Sequence, residues 1–227
     1  MHKTNMELTE YFSAFPKVTA KYKNTIVFCI PPSGLYFADK LIKGPRLHLG
    51  AQNIHFEESG AFTGETSAKM IVDCGAEYVL VGHSERRAYF DEDDVMVNKK
   101  LKTALKNDLT AVLCIGENRE QRAIGKTKNV LSRQISGALR DIDCTKKVII
   151  AYEPVWAIGS GNPATLEEIA EAFADIKKIV PDIPILYGGS VTPDNAHEIM
   201  SLDGVDGVLV GGACLNAEKF AKICDIK

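Results

Sequence analysis

Glu153 stands where an apolar run gives out. Val148-Ile149-Ile150-Ala151-Tyr152 reads as a buried strand and Pro154 prevents its continuation, so the strand delivers a carboxylate to the start of a loop. Gly159 and Gly161 free the far end of that loop, while Val155, Trp156 and Ile158 make its middle bulky and apolar. Hinged ends around an apolar centre are what a lid requires. The alternative for this stretch is a solvated carboxylate ahead of an ordinary loop. His83 follows a second apolar run, Tyr78-Val79-Leu80-Val81-Gly82, with a helix expected from Ser84. A helix N-terminus disfavours the protonated form of a neighbouring imidazole. His83 is therefore expected to be a neutral hydrogen-bond donor to a substrate oxygen, the alternative being a histidine packed for structure alone. Two glycine-rich stretches, Tyr187-Gly188-Gly189-Ser190 and Gly211-Gly212-Ala213, also follow apolar runs. Backbone N–H groups exposed by glycine close around phosphate oxygens, although a glycine pair by itself is more often a turn.

For these residues to meet, the strands that carry them must end on one rim. Thr4-Asn5-Met6-Glu7 matches a capping box and opens a helix with Met6, Phe12 and Phe15 on its apolar face, ended by Pro16. Strands are expected at residues 26–30, 47–51, 78–82, 111–115, 148–152, 183–187 and 205–210. The helices between them are expected at 35–42, at 66–74 with Gly75 as the C′ residue, around Val97, Leu101, Ala104 and Leu105, and around Leu131, Ile135, Ala138 and Leu139. A second capping box, Thr165-Leu166-Glu167-Glu168, opens a helix with Ile169, Phe173, Ile176 and Val180 on one face. Short helices follow at Thr192-Pro193 and at 217–223. Seven strands, each followed by a helix, imply a parallel sheet, open or closed. Closure is favoured because the polar and glycine-rich stretches all follow strands. Eight such units make the common α/β barrel, in which phosphate is often held after strands seven and eight. This chain reads as one strand short of that number.

The 227 residues, 45% hydrophobic and 25% charged, are enough for one large core or two small ones and argue against disorder; the barrel reading takes residues 1–227 as a single domain. A net charge of -3 with scattered Lys and Arg gives no general attraction to nucleic acid or anionic membranes, while leaving room for a small anion held locally. Cys29, Cys74, Cys114, Cys144, Cys214 and Cys224 show no C-x-x-C spacing and mostly lie in apolar runs, as reduced thiols do, which implies a cytoplasmic setting. No apolar run approaches the roughly 18 residues of a membrane span, and the N-terminus has no signal core.

Taken together, Val81-Gly82-His83-Ser84-Glu85-Arg86-Arg87, Cys114-Ile115-Gly116-Glu117, residues 151–161, Tyr187-Gly188-Gly189-Ser190-Val191 and Val208-Leu209-Val210-Gly211-Gly212-Ala213 resemble the triosephosphate isomerase family, from Met1 to about Cys224. The resemblance implies a TIM (β/α)8 barrel that interconverts dihydroxyacetone phosphate and glyceraldehyde 3-phosphate as a homodimer in glycolysis and gluconeogenesis, with no metal and no organic cofactor. By the same resemblance Glu153 is the base and His83 the electrophile that polarises the carbonyl, with Glu85 a support carboxylate behind the site. Gly159, Ser190, Gly211 and Gly212 match positions whose N–H groups hold the phosphate. Pro154, Trp156 and Ile158 belong to the lid that shields the enediolate from water. The segment around Gln52-Asn53 and Phe62-Thr63-Gly64-Glu65 resembles the loop that inserts into a partner subunit, with Thr63 reaching the neighbour's site; without the resemblance it reads as an ordinary polar loop.

The family's first strand carries an Asn and, two residues later, a Lys near its end, and Met1-His2-Lys3-Thr4-Asn5 aligns just after that Lys. Lys3 is not its counterpart. A cation there stabilises the developing enediolate oxygen, so the activity of the chain as it stands is expected to depend on that strand. Ser160 and Asn162 stand where the family commonly has Thr and a basic residue, with closure expected to survive. The competing class of function is a non-catalytic phosphate-binding or scaffold derivative that has lost the Lys and kept the pocket.

Overall fold

The computed structural model describes residues 1–15, 23–143, 146–159 and 163–226. Pro16, Cys144, Ser160, Gly161 and Asn162 lie outside the described residues. Seven strands, β1 (Ile26–Ile30), β2 (Leu47–Ala51), β3 (Tyr78–Val81), β4 (Thr110–Ile115), β5 (Val148–Tyr152), β6 (Ile185–Tyr187) and β7 (Gly207–Val208), pair in parallel in chain order. Their carboxyl ends therefore share one rim.

Side-chain alternation shows that the sheet is curled. Val79 and Val81, or Ala111, Leu113 and Ile115, face the helices, whereas Leu80, Val112, Cys114 and Ala151 form a second cluster with Cys29, Ile149, Leu186 and Leu209. That second cluster draws on β1 and on the residue just after β7. At about 4.8 Å per strand a flat sheet would hold them nearly 30 Å apart. The helical layer closes the same gap: Asn24 Nδ2 donates to the carbonyls of Cys224 and Ile226, and the rings of Phe28 and Phe220 are 5.6 Å apart. Among the described residues β1 and β7 pair only inward and remain the two edges of the sheet.

The helices are α1 (Asn5–Ala14), α2 (Leu35–Leu41), α3 (Ala68–Asp73), α4 (Ser84–Tyr89), α5 (Asp94–Lys106), α6 (Arg119–Ala123), α7 (Thr127–Ala138), α8 (Leu166–Ile179), α9 (Ala196–Met200) and α10 (Ala217–Cys224). Both expected capping boxes form: Thr4 with Glu7 on α1, and Thr165 with Glu168 on α8. On α1 the buried residues are Leu8 and Tyr11, with Phe12 packed against the core and Phe15 buried at the C-cap as expected, while Met6, expected on the same face, lies out in solvent. Phe15 is extended (φ -64°, ψ 120°), the conformation favoured by a residue that precedes proline.

Three further expectations are corrected. β6 starts at Ile185 because Pro184 has no N–H to pair and Ile183 is bonded back to Val180 in a turn. β7 is two residues long because Val205 closes the turn after α9 and, among the described residues, the edge strand has no outer partner, although Asp206 and Leu209 still donate to Ile185 and Tyr187 of β6. β4 is followed by two helices where one is expected, α6 standing as a short turn on the rim ahead of α7 just as α4, expected from Ser84, stands ahead of α5. Position α4 is held from below by a buried ion cluster, in which Glu92 accepts from Arg86 Nε and Lys100 Nζ, both at 2.5 Å, and Lys100 also donates to Asn53 Oδ1 at 2.7 Å. No helix among the described residues is long and apolar enough to cross a membrane.

Candidate active site

Glu153 leaves β5 on the rim and is 2% exposed, an unusual state for a carboxylate. Its own N–H bonds Ile115 at 2.7 Å, fixing its main chain against the end of β4. Room for its side chain comes from Gly188: a Cβ there would lie 3.0 Å from Glu153 Cγ. Oε2 accepts from the Ser84 N–H at 2.9 Å, and Oε1 lies 3.0 Å from His83 Nε2. A cavity of about 220 Å³ adjoins this carboxylate, lined by Ser84, Arg87, Cys114, Gly116 and Gln134 among others.

His83 is the N-cap of α4, as the sequence leads one to expect, and its Nδ1 accepts from the Glu85 N–H at 3.3 Å. That bond occupies the Nδ1 lone pair and leaves Nε2 to carry the proton toward Glu153, the neutral donor arrangement. The expectation that the helix terminus lowers the basicity of His83 is corrected by what faces the ring. Burial pulls its pKa down and is the largest single influence, yet the hydrogen bond and charge of Glu153, with Glu85 adding to them, leave it above the ordinary histidine value. Glu85 itself is not tucked behind the site: its side chain is 71% exposed, and its carboxylate approaches His83 Nδ1 no closer than 4.0 Å. The cause is local, since α4 begins at Ser84 and turns its second residue toward solvent.

Beyond Glu153 the chain runs through Pro154 (φ -64°, ψ 95°) into a single 3-10 turn, Val155–Ala157, then through extended Ile158 to Gly159 at φ +62°, a left-handed conformation suited to glycine. This segment is pinned from both sides. Trp156 Nε1 donates to Glu117 Oε1 at 2.9 Å, the Val155 N–H donates to the Glu117 carbonyl at 3.1 Å, and the Ser190 hydroxyl donates to the Ala157 carbonyl at 3.0 Å. Ser190 thus joins the turn after β6 to the segment after β5. Gly211 and Gly212 follow β7 on the same rim and are exposed, with open space where a side chain would stand. Thr63 lies in an exposed stretch of the loop after β2, beside Phe62 at 42% exposure.

Glu117 stands out in the sequence only as part of the Cys114-Ile115-Gly116-Glu117 motif, and the structure makes it a second centre. It is fully buried and accepts from Tyr152 Oη at 3.1 Å, Trp156 Nε1 and Arg122 Nη1 at 3.2 Å, while the Arg122 guanidinium lies 4.9 Å from the Trp156 ring centre. Burial raises the Tyr152 pKa far above the ordinary phenol value, and Glu117 adds to the effect, so Tyr152 stays a donor. The available signal is a carboxylate two residues past the end of a strand, close to the pattern of Glu153, which directly follows β5. No group of three or more His, Cys, Asp or Glu suited to a metal ion occurs among the described residues. The described cysteines are all free, with burial holding the Cys29 thiol at about 12 and Cys114 well above its ordinary value.

The geometry agrees with what the chain is similar to. A family model described as triosephosphate isomerase matches residues 1–227. A triosephosphate isomerase of Aquifex aeolicus (strain VF5) is 45% identical over 233 residues, covering 98% of this chain and 94% of that protein. One from Bdellovibrio bacteriovorus is 43% identical over 231 residues, covering 100% of this chain and 96% of its own length. The crystal structure of triosephosphate isomerase from Bartonella henselae superposes with a TM-score of 0.88 at 37% identity, over 99% of this chain and 94% of that one. With its parallel α/β sheet, rim carboxylate and capping imidazole in that company, the chain belongs to the triosephosphate isomerase family.

Proposed function

We infer that this chain is an isomerase that interconverts dihydroxyacetone phosphate and glyceraldehyde 3-phosphate. The observation that carries the reading is the pairing of buried Glu153 with His83 at 3.0 Å on the carboxyl-end rim of a chain of this family. A carboxylate removed from water and held by the Ser84 N–H and His83 Nε2 is a ready acceptor for a carbon-bound proton once those bonds are exchanged for substrate. Glu153 takes a proton from one substrate carbon and returns it to the next. His83, protonated at Nε2, donates to the carbonyl oxygen as negative charge develops there and so stabilises the enediolate.

Around this pair, Gly159, Ser190, Gly211 and Gly212 supply the backbone N–H groups that hold the phosphate, in keeping with their place on the rim and the open space at both Gly211 and Gly212. Pro154, Trp156 and Ile158 form the lid. Its closure requires the Trp156 indole to leave Glu117, since that hydrogen bond holds the segment where it lies. Glu85 contributes charge near the imidazole rather than contact with substrate. The reaction uses no metal and no organic cofactor, and the chain works in the cytoplasm in glycolysis and gluconeogenesis. Thr63, on its exposed loop, reaches the active site of a second copy in a homodimer.

Conversion of glyceraldehyde 3-phosphate, coupled to reduction of the dihydroxyacetone phosphate formed, tests the reading. Turnover abolished by Glu153→Gln is the expected result. A parent chain that binds a phosphate-bearing enediolate mimic without turnover would instead make it a non-catalytic phosphate binder.

A further inference from the structure

The inward face of α7 carries Val130, Leu131, Ile135 and Ala138, and one amide among them, Gln134, at 5% exposure. A buried glutamine in an apolar stripe must find partners, and both partners of Gln134 belong to one residue. Its Oε1 accepts from the Gly116 N–H at 2.8 Å and its Nε2 donates to the Gly116 carbonyl at 3.2 Å, so the side chain clamps that residue from both sides.

Gly116 is where the end of β4 meets the end of β5. An added Cβ would lie 1.7 Å from the Glu153 carbonyl oxygen, so the two main chains touch with no side chain between them. The residue before it, Ile115, receives the Glu153 N–H, and the residue after it is Glu117, which accepts the Trp156 indole. Moving Gly116 therefore moves the base and the lid anchor together.

We propose that Gln134 is a positioning residue for the isomerisation, setting through Gly116 both the main chain of Glu153 and the carboxylate of Glu117. This rests on the function inferred above. Gln134 sits on the helix layer outside β4, whereas Gly211 and Gly212 follow β7, so its reach into the site runs through the Gly116 peptide rather than through those two glycines.

The test uses the full chain. Gln134→Met keeps the length of the side chain within the apolar face of α7 and removes both hydrogen bonds. Its expected effects are a kcat about ten-fold or more below the parent, a KM within two-fold, and a shift in emission of Trp156, the single tryptophan, as Glu117 is released. Ile135→Val, its buried neighbour on α7, is the control for lost stability alone and is expected to change neither kcat nor emission. A folded Gln134→Met with kcat within two-fold of the parent and unaltered emission overturns the proposal, as does an equal loss in Ile135→Val. Should Gln134→Met not fold, Gln134→Glu, which keeps the acceptor for the Gly116 N–H and sets an oxygen against its carbonyl, is judged by the same criteria. An inactive parent sinks the inferred isomerisation instead, and the emission of the variants then still decides whether Gln134 holds the lid anchor.

Discussion

Trp156 and Glu117 are joined by a 2.9 Å hydrogen bond from indole to carboxylate, across a boundary where a lid segment meets the wall of the fold. The carboxylate is fully buried, so its charge is tolerated only because Tyr152, Trp156 and Arg122 all point donors at it. Lid position and local stability therefore depend on the same atoms.

Replacing Glu117 with Leu leaves three buried or half-buried donors without their acceptor. The expected loss of stability is about 3–5 kcal/mol, the range for breaking a buried charge cluster from one side. Urea unfolding followed by Trp156 emission measures it. A loss below about 1 kcal/mol would mean that water replaces the carboxylate at little cost.

Shortening the base by one methylene, Glu153→Asp, draws the carboxylate back by about 1 Å and is expected to lower turnover by orders of magnitude with little change in substrate affinity, because proton transfer depends steeply on approach distance. Steady-state kinetics beside the parent decides it. Turnover within a few-fold of the parent would remove Glu153 from the role of base.

Deleting the middle of the segment from Val155 to Gly159 is expected to leave a folded chain whose intermediate loses phosphate to solvent. Product analysis for methylglyoxal and inorganic phosphate tests the lid role directly. Amounts no greater than the parent's would mean that this segment does not shield the intermediate.

The His83 and Glu153 pair also sets a pH dependence. The folded-state pKa of His83 lies above its ordinary value, so the pair's contribution to stability is complete below about pH 6.5 and is lost as pH rises through the folded-state value. Glu153→Gln removes the carboxylate that raises it, leaving burial to pull the pKa down. An NMR titration of the His83 ring should thus show a lower midpoint in the variant. An unchanged or higher midpoint would show that Glu153 is not what raises it.

The two sheet edges yield a last expectation. β1 and β7 close on the same interior cluster without pairing to each other, so a parallel strand fused ahead of Met1 has a slot with main-chain partners on both sides. About ten added residues in strand pattern, ending in Asn-x-Lys, are expected to raise the thermal midpoint and reduce aggregation, and to raise turnover through the added cation. Melting curves of the two forms that coincide would show that the seam gains nothing from a strand.

Local sequence determined much of this protein. Apolar runs, most of them bounded by Pro or Gly, mark the seven strands, Thr4 with Glu7 and Thr165 with Glu168 set two helix starts, and strand ends set which residues reach the rim, because each of these depends on chemistry within a few positions along the chain. Tertiary structure decided what each rim residue faces. That Glu153 lies against His83 and reverses the basicity expected from the helix terminus, and that Met6 faces outward, follow from contacts between distant segments. Glu117 and Gln134 show the same limit most sharply. A carboxylate and an amide have no single local preference, and only the packing of α7 on β4, and of β4 beside β5, gives them the Trp156 indole and the Gly116 peptide as partners.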